Sequence, residues 1–301
     1  MSFADRVIRQ RRNAGLVPVQ QEYTPKDGTA LAAEHLELRV DVEEQKIWYP
    51  RASSLHDACM RMHVIGAQND VTMKGFASVR VKLLFGIGRA VQEWIQNTPH
   101  VLGDRRRGWW RCLACNRVVY FGGPPRKPCS NCKARPEAIV YHEHAMKLPA
   151  PWMMTGHPDM FLEKDTNVYR VLEIKTIKGE EFDKLKGPLA QHDWQIQSYM
   201  WGCELDTKLP VPIDSSVGYV MYVSKKYSTK ELPFKMFTVQ RNEALLGRIK
   251  DKVMAFTDGY LNYPNRMPEP LEECRHANWS NWRAKDCPTG KMCIKFFEET
   301  T

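Results

Sequence analysis

The stretch of residues 156–175 constrains the fold most, because it reads as two consecutive strands that carry acidic residues. Asp159 falls in the first strand, and Glu173 and Lys175 fall in the second, after a short loop. Residues i and i+2 of a strand project from the same face, so Glu173 and Lys175 point together, and a hairpin brings Asp159 beside them. Two carboxylates and an ammonium group at one sheet edge favour a divalent cation, Mg²⁺ or Mn²⁺, and an anionic substrate.

Apolar periodicity predicts the other elements, in an order typical of an α/β fold. One helix is expected to begin at Ser53 or Ser54, and a second to cover about 75–97 with an apolar face. The later predicted elements are strands at about 138–148, 152–163 and 168–177, a helix at 189–204, strands at 216–224 and 234–239, and a helix at 242–260.

Composition places the chain among globular proteins of one large or two modest domains, with 301 residues, 43% hydrophobic and 26% charged. Its apolar runs fall short of the roughly 20 residues that cross a bilayer. The N-terminus lacks the apolar stretch of a signal peptide, so we expect a cytoplasmic protein that does not engage a membrane. The net charge of +9 favours a polyanionic partner, although charge alone fits RNA, DNA or an anionic membrane.

The nine cysteines of a cytoplasmic chain indicate metal ligation rather than disulfides. Cys112-x2-Cys115 and Cys129-x2-Cys132 stand thirteen residues apart. Two such pairs supply four thiolates for a closed tetrahedral site, which predicts a structural zinc ribbon, with iron or a redox dithiol as the alternatives.

Basic and aromatic residues directly precede the ribbon, at Arg105, Arg106, Arg107 and Trp109. Cationic charge interleaved with aromatic rings fits phosphate contact and base stacking. The competing interpretation is that a tryptophan packs under the ribbon while the arginines are solvated.

Gln195-x3-Tyr199 follows the acidic pair, and Asp159, Glu173-x-Lys175 and Gln195-x3-Tyr199 occur in this order at compact spacing. Together they resemble the signature of the PD-(D/E)XK nuclease superfamily, in its RecB-like exonuclease branch. The resemblance implies a restriction-endonuclease-like core with the element order α-β-β-β-α-β.

The resemblance also implies roles for these residues. Asp159, Glu173 and the backbone carbonyl of Ile174 would bind Mg²⁺ or Mn²⁺, and Lys175 would orient the attacking water or stabilise the transition state. The glutamine and tyrosine would line the site, and Lys178 would contact DNA.

One position departs from the RecB-like pattern, which has a metal-binding histidine four residues after a glycine. Here Gln92 follows Gly88 at that spacing, and Glu93 comes next. Either Glu93 replaces the histidine as a ligand, or the site binds its metal more weakly. An equally good interpretation is that Gln92 and Glu93 only form part of an ordinary helix surface.

The remaining cysteines include Cys274, Cys287 and Cys293 in the last thirty residues, and Cys59 far upstream. This arrangement resembles that of the iron–sulfur RecB-family nucleases, among them AddB and the CRISPR-associated RecB-type exonucleases. The resemblance implies a [4Fe–4S] cluster held by these four thiolates. A second zinc ion and four ordinary buried thiols are the alternatives.

These predictions combine into one organisation and one function. The predicted segments are an N-terminal arm at 1–50, a helical part at 51–102, an inserted zinc ribbon at 103–136, the nuclease core at 137–262 and an iron–sulfur tail at 263–301. We expect a metal-dependent DNA exonuclease acting on ends or single strands in recombination, repair or phage DNA processing, with a recombination or annealing protein as a further partner. A non-catalytic DNA-binding protein and a CRISPR-type spacer-processing factor are the alternatives. If the gene is carried by a phage, the host cytoplasm is the expected location.

Overall fold

The computed structural model describes residues 40–41, 45–46, 49–73, 76–77, 79–226, 233–276 and 281–298. The arm predicted at 1–50 lies almost entirely outside these described residues. The chain divides into two compact units, one formed by Met1–Val42 and Phe76–Leu83 and the other by Glu43–Gly75 and Leu84–Thr301. In the first unit, Val40–Asp41 pairs antiparallel with Phe76–Ala77. The candidate site belongs to the second unit.

Seven strands of the second unit form one mixed sheet. They are β1 Arg106–Cys112, β2 Val118–Gly122, β3 Ile139–His142, β4 Met160–Asp165, β5 Val168–Ile177, β6 Val217–Ser224 and β7 Phe234–Gln240. Their order across the sheet is β7-β6-β5-β4-β1-β2, and β3 pairs with β1. The β5–β6 pair is parallel and the other pairs are antiparallel.

Helices and short strands complete the described residues. The helices are α1 Met60–Gln68, α2 Val79–Asn97, α3 Pro99–Leu102, α4 Gly179–Lys184, α5 Ala190–Leu205, α6 Glu243–Leu261, α7 Glu272–His276, α8 Trp282–Lys285 and α9 Gly290–Glu298. Single 3₁₀ turns lie at Ala52–Ser54, Gly103–Arg105 and Pro136–Ala138. Two-residue strands pair Gln45–Lys46 with Thr72–Met73 and Met146–Lys147 with Thr155–Gly156. None of the helices in the described part of the chain has the length and apolar character needed to cross a membrane.

The main core lies where α5 packs against β5, β6 and α6. Because α5 contacts other elements on all sides, every residue from Trp194 to Cys203 is buried, and the helix has no polar face over that stretch. Helix α6 presents an ordinary apolar stripe that includes Leu246, Ile249 and Val253. Each fully buried side chain of this size contributes about 1.5–3 kcal/mol to folding.

The structure confirms the mixed α/β class with a central sheet flanked by helices. The elements predicted from residue 168 to residue 260 agree with the observed ones within one residue at each end. The strands predicted at 138–148 and 152–163 are each interrupted, so that only short pieces of them pair.

Two predictions about the N-terminal helices were wrong. The first helix begins at Met60, because the Ser54 hydroxyl donates to the Arg51 carbonyl (3.2 Å) inside a 3₁₀ turn instead of capping a helix. The second helix begins at Val79, not near residue 75, because Phe76–Ala77 pairs as a strand. Its apolar face is only partly buried: Ile95 is 2% exposed, whereas Ile87 is 50% exposed.

Gly156 is a strand residue whose backbone lies close to α5. A Cβ there would fall 2.5 Å from Cε1 of Tyr199 and 3.2 Å from Cβ of Ala52. Only glycine lets the tyrosine ring approach this backbone.

We therefore expect Gly156→Ala to destabilise the protein by about 1–3 kcal/mol, the usual cost of overpacking a core. Gly247→Ala is the matched control, because the added Cβ meets no atom within 4 Å in α6. It should stabilise the helix by up to about 1 kcal/mol. Chemical denaturation of both variants measures the two changes, and equal stabilities would contradict the close contact at Tyr199.

Candidate active site

The β4–β5 hairpin positions the acidic residues. The two strands join through Thr166 and Asn167, and Asn167 adopts the left-handed conformation (φ +62°) that a tight turn requires. Asp159 directly precedes β4 and is 7% exposed, and its Oδ2 accepts a hydrogen bond from the backbone N–H of Ile174 on β5 (2.6 Å). The carboxylate of Asp159 is thereby held against β5, next to Glu173.

Glu173 is the most deeply buried acid of the site, at 1% exposure. Its Oε1 accepts from Lys175 Nζ (2.6 Å) and from Gln195 Nε2 (2.8 Å). Its Oε2 is buried, and within the described part of the chain no donor hydrogen-bonds it. A buried carboxylate oxygen without a partner is costly, so the site fits a ligand that supplies positive charge at this oxygen.

Gln195 and Tyr199 lie one turn apart on α5 and face the same side. Gln195 Nε2 contacts the Tyr199 hydroxyl (3.1 Å), which also accepts from the backbone N–H of His157 (3.4 Å). These contacts tie α5 to the segment that precedes Asp159, and they fix the orientation of the amide that holds Glu173. The structure thus brings Asp159, Glu173 and both α5 residues together.

A third carboxylate, Glu143, belongs to the site and was missed by sequence reasoning. Gln92 Nε2 of α2 donates to Glu143 Oε1 (2.5 Å) and to Asp159 Oδ1 (2.8 Å). Gln96 Nε2 donates to the Asp159 carbonyl (2.8 Å). The only signal in the sequence was an acid placed directly after the strand that ends at His142.

Glu93 was the predicted replacement for the absent histidine, and the structure does not support it. Its side chain is exposed, whereas the neighbouring Gln92 turns towards Asp159. Consecutive residues of a helix point about 100° apart, so the two cannot share the site. The acid that accompanies Gln92 is Glu143 instead.

The charges of the site strongly influence one another. Burial, followed by the charge of Glu173, raises the pKa of Asp159 well above its ordinary value. Burial also raises the pKa of Glu173, although Lys175 opposes this effect. Burial disfavours the charged form of Lys175, but attraction by Glu173 and Asp159 outweighs it and raises the pKa of the ammonium group. A cation bound between the two acids would oppose this effect, because a nearby positive charge favours the ionised carboxylates.

The donor set fits a hard divalent cation in part. Asp159, Glu173 and Glu143 offer carboxylate oxygens, as Mg²⁺ and Mn²⁺ prefer. Among the described residues, these acids do not form a group whose ligand atoms all lie within 4.8 Å of one another. A cation here would complete its shell with water and phosphate oxygens, which Mg²⁺ normally retains.

The predicted ribbon cysteines do converge. The sulfur atoms of Cys112, Cys115, Cys129 and Cys132 all lie within 4.8 Å of one another. The Sγ atoms of Cys112 and Cys132 are 3.6 Å apart, and those of Cys115 and Cys129 are 3.8 Å apart. The Asn131 side chain and the Arg117 N–H lower the pKa of Cys115 to about 6, which favours the thiolate. This arrangement is compatible with a metal site of four sulfur ligands.

The other four predicted cluster cysteines are neighbours without converging as tightly. Burial raises the pKa of Cys59, and the charges of Cys287 and Cys274 raise it further. Burial likewise raises the pKa of Cys293 to about 11, with further increases from Cys59 and Cys287. The contact between α1 and α9 brings the segments of Cys59 and Cys293 together.

A buried arginine accompanies these thiols. Arg61 is 4% exposed, and its Nη1 donates to the Pro268 carbonyl (3.1 Å). Its charge lowers the pKa of the Cys293 thiol, although burial has the larger, opposite effect. Among the described residues, no hydrogen-bond partner of the Arg61 Nε is found. No carboxylate pairs with Arg61 among the described residues. A buried cation of this kind fits an anionic thiolate group.

Three of the predicted DNA-contact residues, Arg106, Arg107 and Trp109, lie on β1. Residues of β1 alternate between buried and half-buried, so consecutive arginines cannot share a surface. The prediction for Arg106 was wrong, because it is 2% exposed and its guanidinium donates to the carbonyls of Gln96 (2.6 Å) and Gly103 (2.9 Å).

The other predicted DNA-contact residues differ in solvent exposure and in whether their side chains already have partners. Arg107 forms an ion pair with Glu163. Trp109 is half-buried and its Nε1 donates to His144 Nδ1 (3.2 Å). Arg105 and Lys178 are exposed. Of the predicted set, only these last two keep side chains that face solvent freely.

Comparisons with known proteins leave the family open. No protein-family model matches the chain, and no curated protein matches it. Among solved structures, an alkaline exonuclease (LHK-Exo) from Laribacter hongkongensis has 14% identity and a TM-score of 0.38, over 71% of this chain and 88% of that one, and its complex with dAMP gives the same values. The crystal structure of SSO0001 has 13% identity and a TM-score of 0.34, over 91% of this chain and 98% of that one. These TM-scores are too low to establish a shared fold.

The four-sulfur geometry predicts that Cys115→Ser removes one bound metal ion per chain, because a tetrahedral structural site does not hold its ion well with three thiolates. Cys203→Ser is the control, since Cys203 is buried alone on α5. Metal content by plasma mass spectrometry, counting both zinc and iron, checks the outcome. Equal metal content in the two variants would contradict the site.

Proposed function

We propose that this chain is a divalent-metal-dependent nuclease that hydrolyses phosphodiester bonds in DNA, working as an exonuclease on ends or single strands. One observation carries the proposal. Glu173 is buried beside a second buried acid, and one of its oxygens is held by Lys175 and Gln195. Its other oxygen has no hydrogen-bond partner among the residues that the structure describes. Such an arrangement is expensive to fold and is typical of a site that binds a cation.

In this proposal, Asp159, Glu173 and the backbone carbonyl of Ile174 bind Mg²⁺ or Mn²⁺. A cation held by these residues would supply Lewis-acid chemistry for phosphodiester hydrolysis. The N–H of Ile174 fixes Oδ2 of Asp159, and Gln92 fixes its Oδ1. Both contacts set the direction in which the carboxylate presents its lone pairs.

Lys175 stabilises the negative charge that develops on the phosphate in the transition state. Its Nζ lies 2.6 Å from Glu173 Oε1, so its ammonium charge stands beside the cation site. Preorganised positive charge in a desolvated site is worth far more than in water. Its side chain remains 26% exposed, which leaves the ammonium accessible to substrate.

Gln195, Tyr199 and Gln92 act as positioning residues. Gln195 and Tyr199 hold Glu173, and Gln92 links Asp159 to Glu143. Glu143 adds a third negative charge, which raises the affinity of the site for a divalent cation. This acid takes over the contribution that a ligating histidine would make elsewhere.

The two thiol groups serve different purposes in the proposal. The four converging cysteines hold a structural zinc ion, as their short sulfur–sulfur distances favour. Cys59, Cys274, Cys287 and Cys293 hold a [4Fe–4S] cluster, whose cage spaces its thiolates more widely than a single ion does. The buried charge of Arg61 supports this assignment, because a cluster with four thiolates carries net negative charge.

The nuclease proposal predicts that Glu173→Gln and Lys175→Ala each lower Mn²⁺-dependent DNA degradation by at least about 10²- to 10³-fold, the usual loss when one transition-state contact is removed. Glu143→Gln should lower the affinity of the site for Mn²⁺, so that more Mn²⁺ is needed for the same activity. Glu93→Gln changes an exposed acid and should behave as wild type. The assay is degradation of end-labelled single- and double-stranded DNA by anaerobically purified protein. Full activity of Glu173→Gln would contradict the proposal, and inactivity of the wild type with retained binding would favour a non-catalytic DNA-binding protein.

The cluster proposal predicts that anaerobically purified protein carries about four iron and one zinc per chain. Cys287→Ser should remove iron and leave zinc, whereas Cys132→Ser should do the reverse. Loss of the cluster should also lower the unfolding temperature, because metal-binding free energy contributes to folding. A colourless protein with two zinc ions would show that the second thiol group binds zinc instead.

A further inference from the structure

The ribbon carries a pocket that is separate from the acidic site. Its volume is about 610 Å³, and it opens between β2 and the segment 123–130. The walls include Val119, Tyr120, Pro124 and Ile139. Small-molecule pockets typically enclose about 300–1,000 Å³ and combine apolar walls with a few polar groups. The size and lining therefore suit one small, partly apolar unit.

Tyr120 presents a fixed ring to this pocket. Its hydroxyl donates to the carbonyl of Gly123 (3.1 Å), which holds the side chain in one orientation. The ring is half-buried and pairs with no other aromatic ring among the described residues. Ile139, which is 5% exposed, forms part of the apolar lining of the pocket. Part of the Tyr120 side chain packs against the adjacent core, and the residue also lines the pocket, where a planar heteroaromatic group can contact it.

Two cations stand at the pocket wall. Lys127 is exposed and has no ion pair or hydrogen bond within the described part of the chain. Arg126 pairs only with Asp104 (2.5 Å), and both side chains are largely exposed (75% and 69%). Exposed pairs of this kind contribute little, so a phosphate can replace Asp104 at low cost.

The surrounding segment strengthens this positive field. Residues 103–138 contain nine lysines and arginines against two acids. A zinc ion with four thiolates adds two negative charges, which still leaves a clear positive excess. Charge complementarity therefore favours a polyanion, and the adjacent apolar wall favours one that also carries aromatic bases.

We propose that this pocket binds one unpaired nucleotide of single-stranded DNA, with the base against Tyr120 and the flanking phosphates on Arg126 and Lys127. A base must leave its duplex to enter, so the pocket selects single strands. This proposal deepens the proposed nuclease function and rests on DNA being the substrate. It also moves the contact surface of the ribbon away from Arg106 and Arg107, whose guanidinium groups are engaged internally.

The first test compares Lys127→Glu with Lys133→Glu. Both variants reverse one exposed charge of the ribbon, but Lys133 does not line the pocket and donates to the Ser130 carbonyl (3.2 Å). Binding of a labelled single-stranded oligonucleotide by the full chain is measured without divalent cation over a range of salt concentrations. Lys127→Glu should weaken binding about tenfold and reduce the log–log salt slope by about 0.7, the value for one lost phosphate contact on a single strand. Lys133→Glu should match wild type in both.

The second test addresses the base. Tyr120→Leu should weaken binding about five- to 150-fold, the loss expected for one stacked base, whereas Tyr120→Phe should retain it. An oligonucleotide with abasic sites has no base to stack on residue 120, so it should bind Tyr120→Leu and Tyr120→Phe equally. Zinc content is measured in each variant to show that the ribbon is intact.

Several outcomes would overturn the proposal. Equal losses in Lys127→Glu and Lys133→Glu would indicate a general electrostatic effect, and unchanged binding by Tyr120→Leu would exclude base stacking. If Tyr120→Leu loses zinc, the substitution has disrupted the ribbon and its binding result is not used. The comparison of Lys127→Glu with Lys133→Glu then tests the proposal. Oligonucleotide binding is measured without divalent cation, so it does not depend on DNA degradation. A failure of the nuclease proposal, seen as absent Mn²⁺-dependent degradation, is therefore distinguishable from a failure of this one, seen as equal binding by the two lysine variants.

Discussion

The buried carboxylate of Glu173 is the constraint around which the rest of the site is arranged. Transferring a charged carboxylate out of water costs several kcal/mol, and its neighbour Asp159 adds a second buried acid. Lys175 and Gln195 compensate one oxygen of Glu173, and no described residue hydrogen-bonds the other. The energetic deficit explains why so many polar side chains of α2 and α5 are directed inward, where apolar residues would otherwise give more stability.

The same constraint couples distant parts of the fold. The β4–β5 hairpin supplies the acids, α5 crosses between β5 and β6 and supplies Gln195, and α2 supplies Gln92 and Gln96. Arg106 in turn donates to the carbonyl of Gln96, so even the first strand of the cysteine-bearing segment supports the helix that holds Asp159. Because β1 also pairs with β4, this segment continues the central sheet.

Local spacing was sufficient to predict part of this arrangement and insufficient for the rest. The i, i+2 rule placed Glu173 and Lys175 on one face, and paired Cys-x2-Cys turns predicted the four-sulfur site. Glu143 was not predictable, because its proximity to Asp159 depends on a helix glutamine more than forty residues away along the chain. The prediction for Arg106 was wrong because a charged side chain was assumed to be exposed. The alternation of β1 instead buries every second residue, including Arg106.

The central claim is that Glu173 and Asp159 form a cation site, and anomalous diffraction from crystals soaked in Mn²⁺ tests it most directly. The account predicts an anomalous peak in contact with Glu173 Oε2 and an oxygen of Asp159, and no peak in crystals of Glu173→Gln. A soaked wild-type crystal without density at this position, with Glu173 contacting only Lys175 and Gln195, would contradict it.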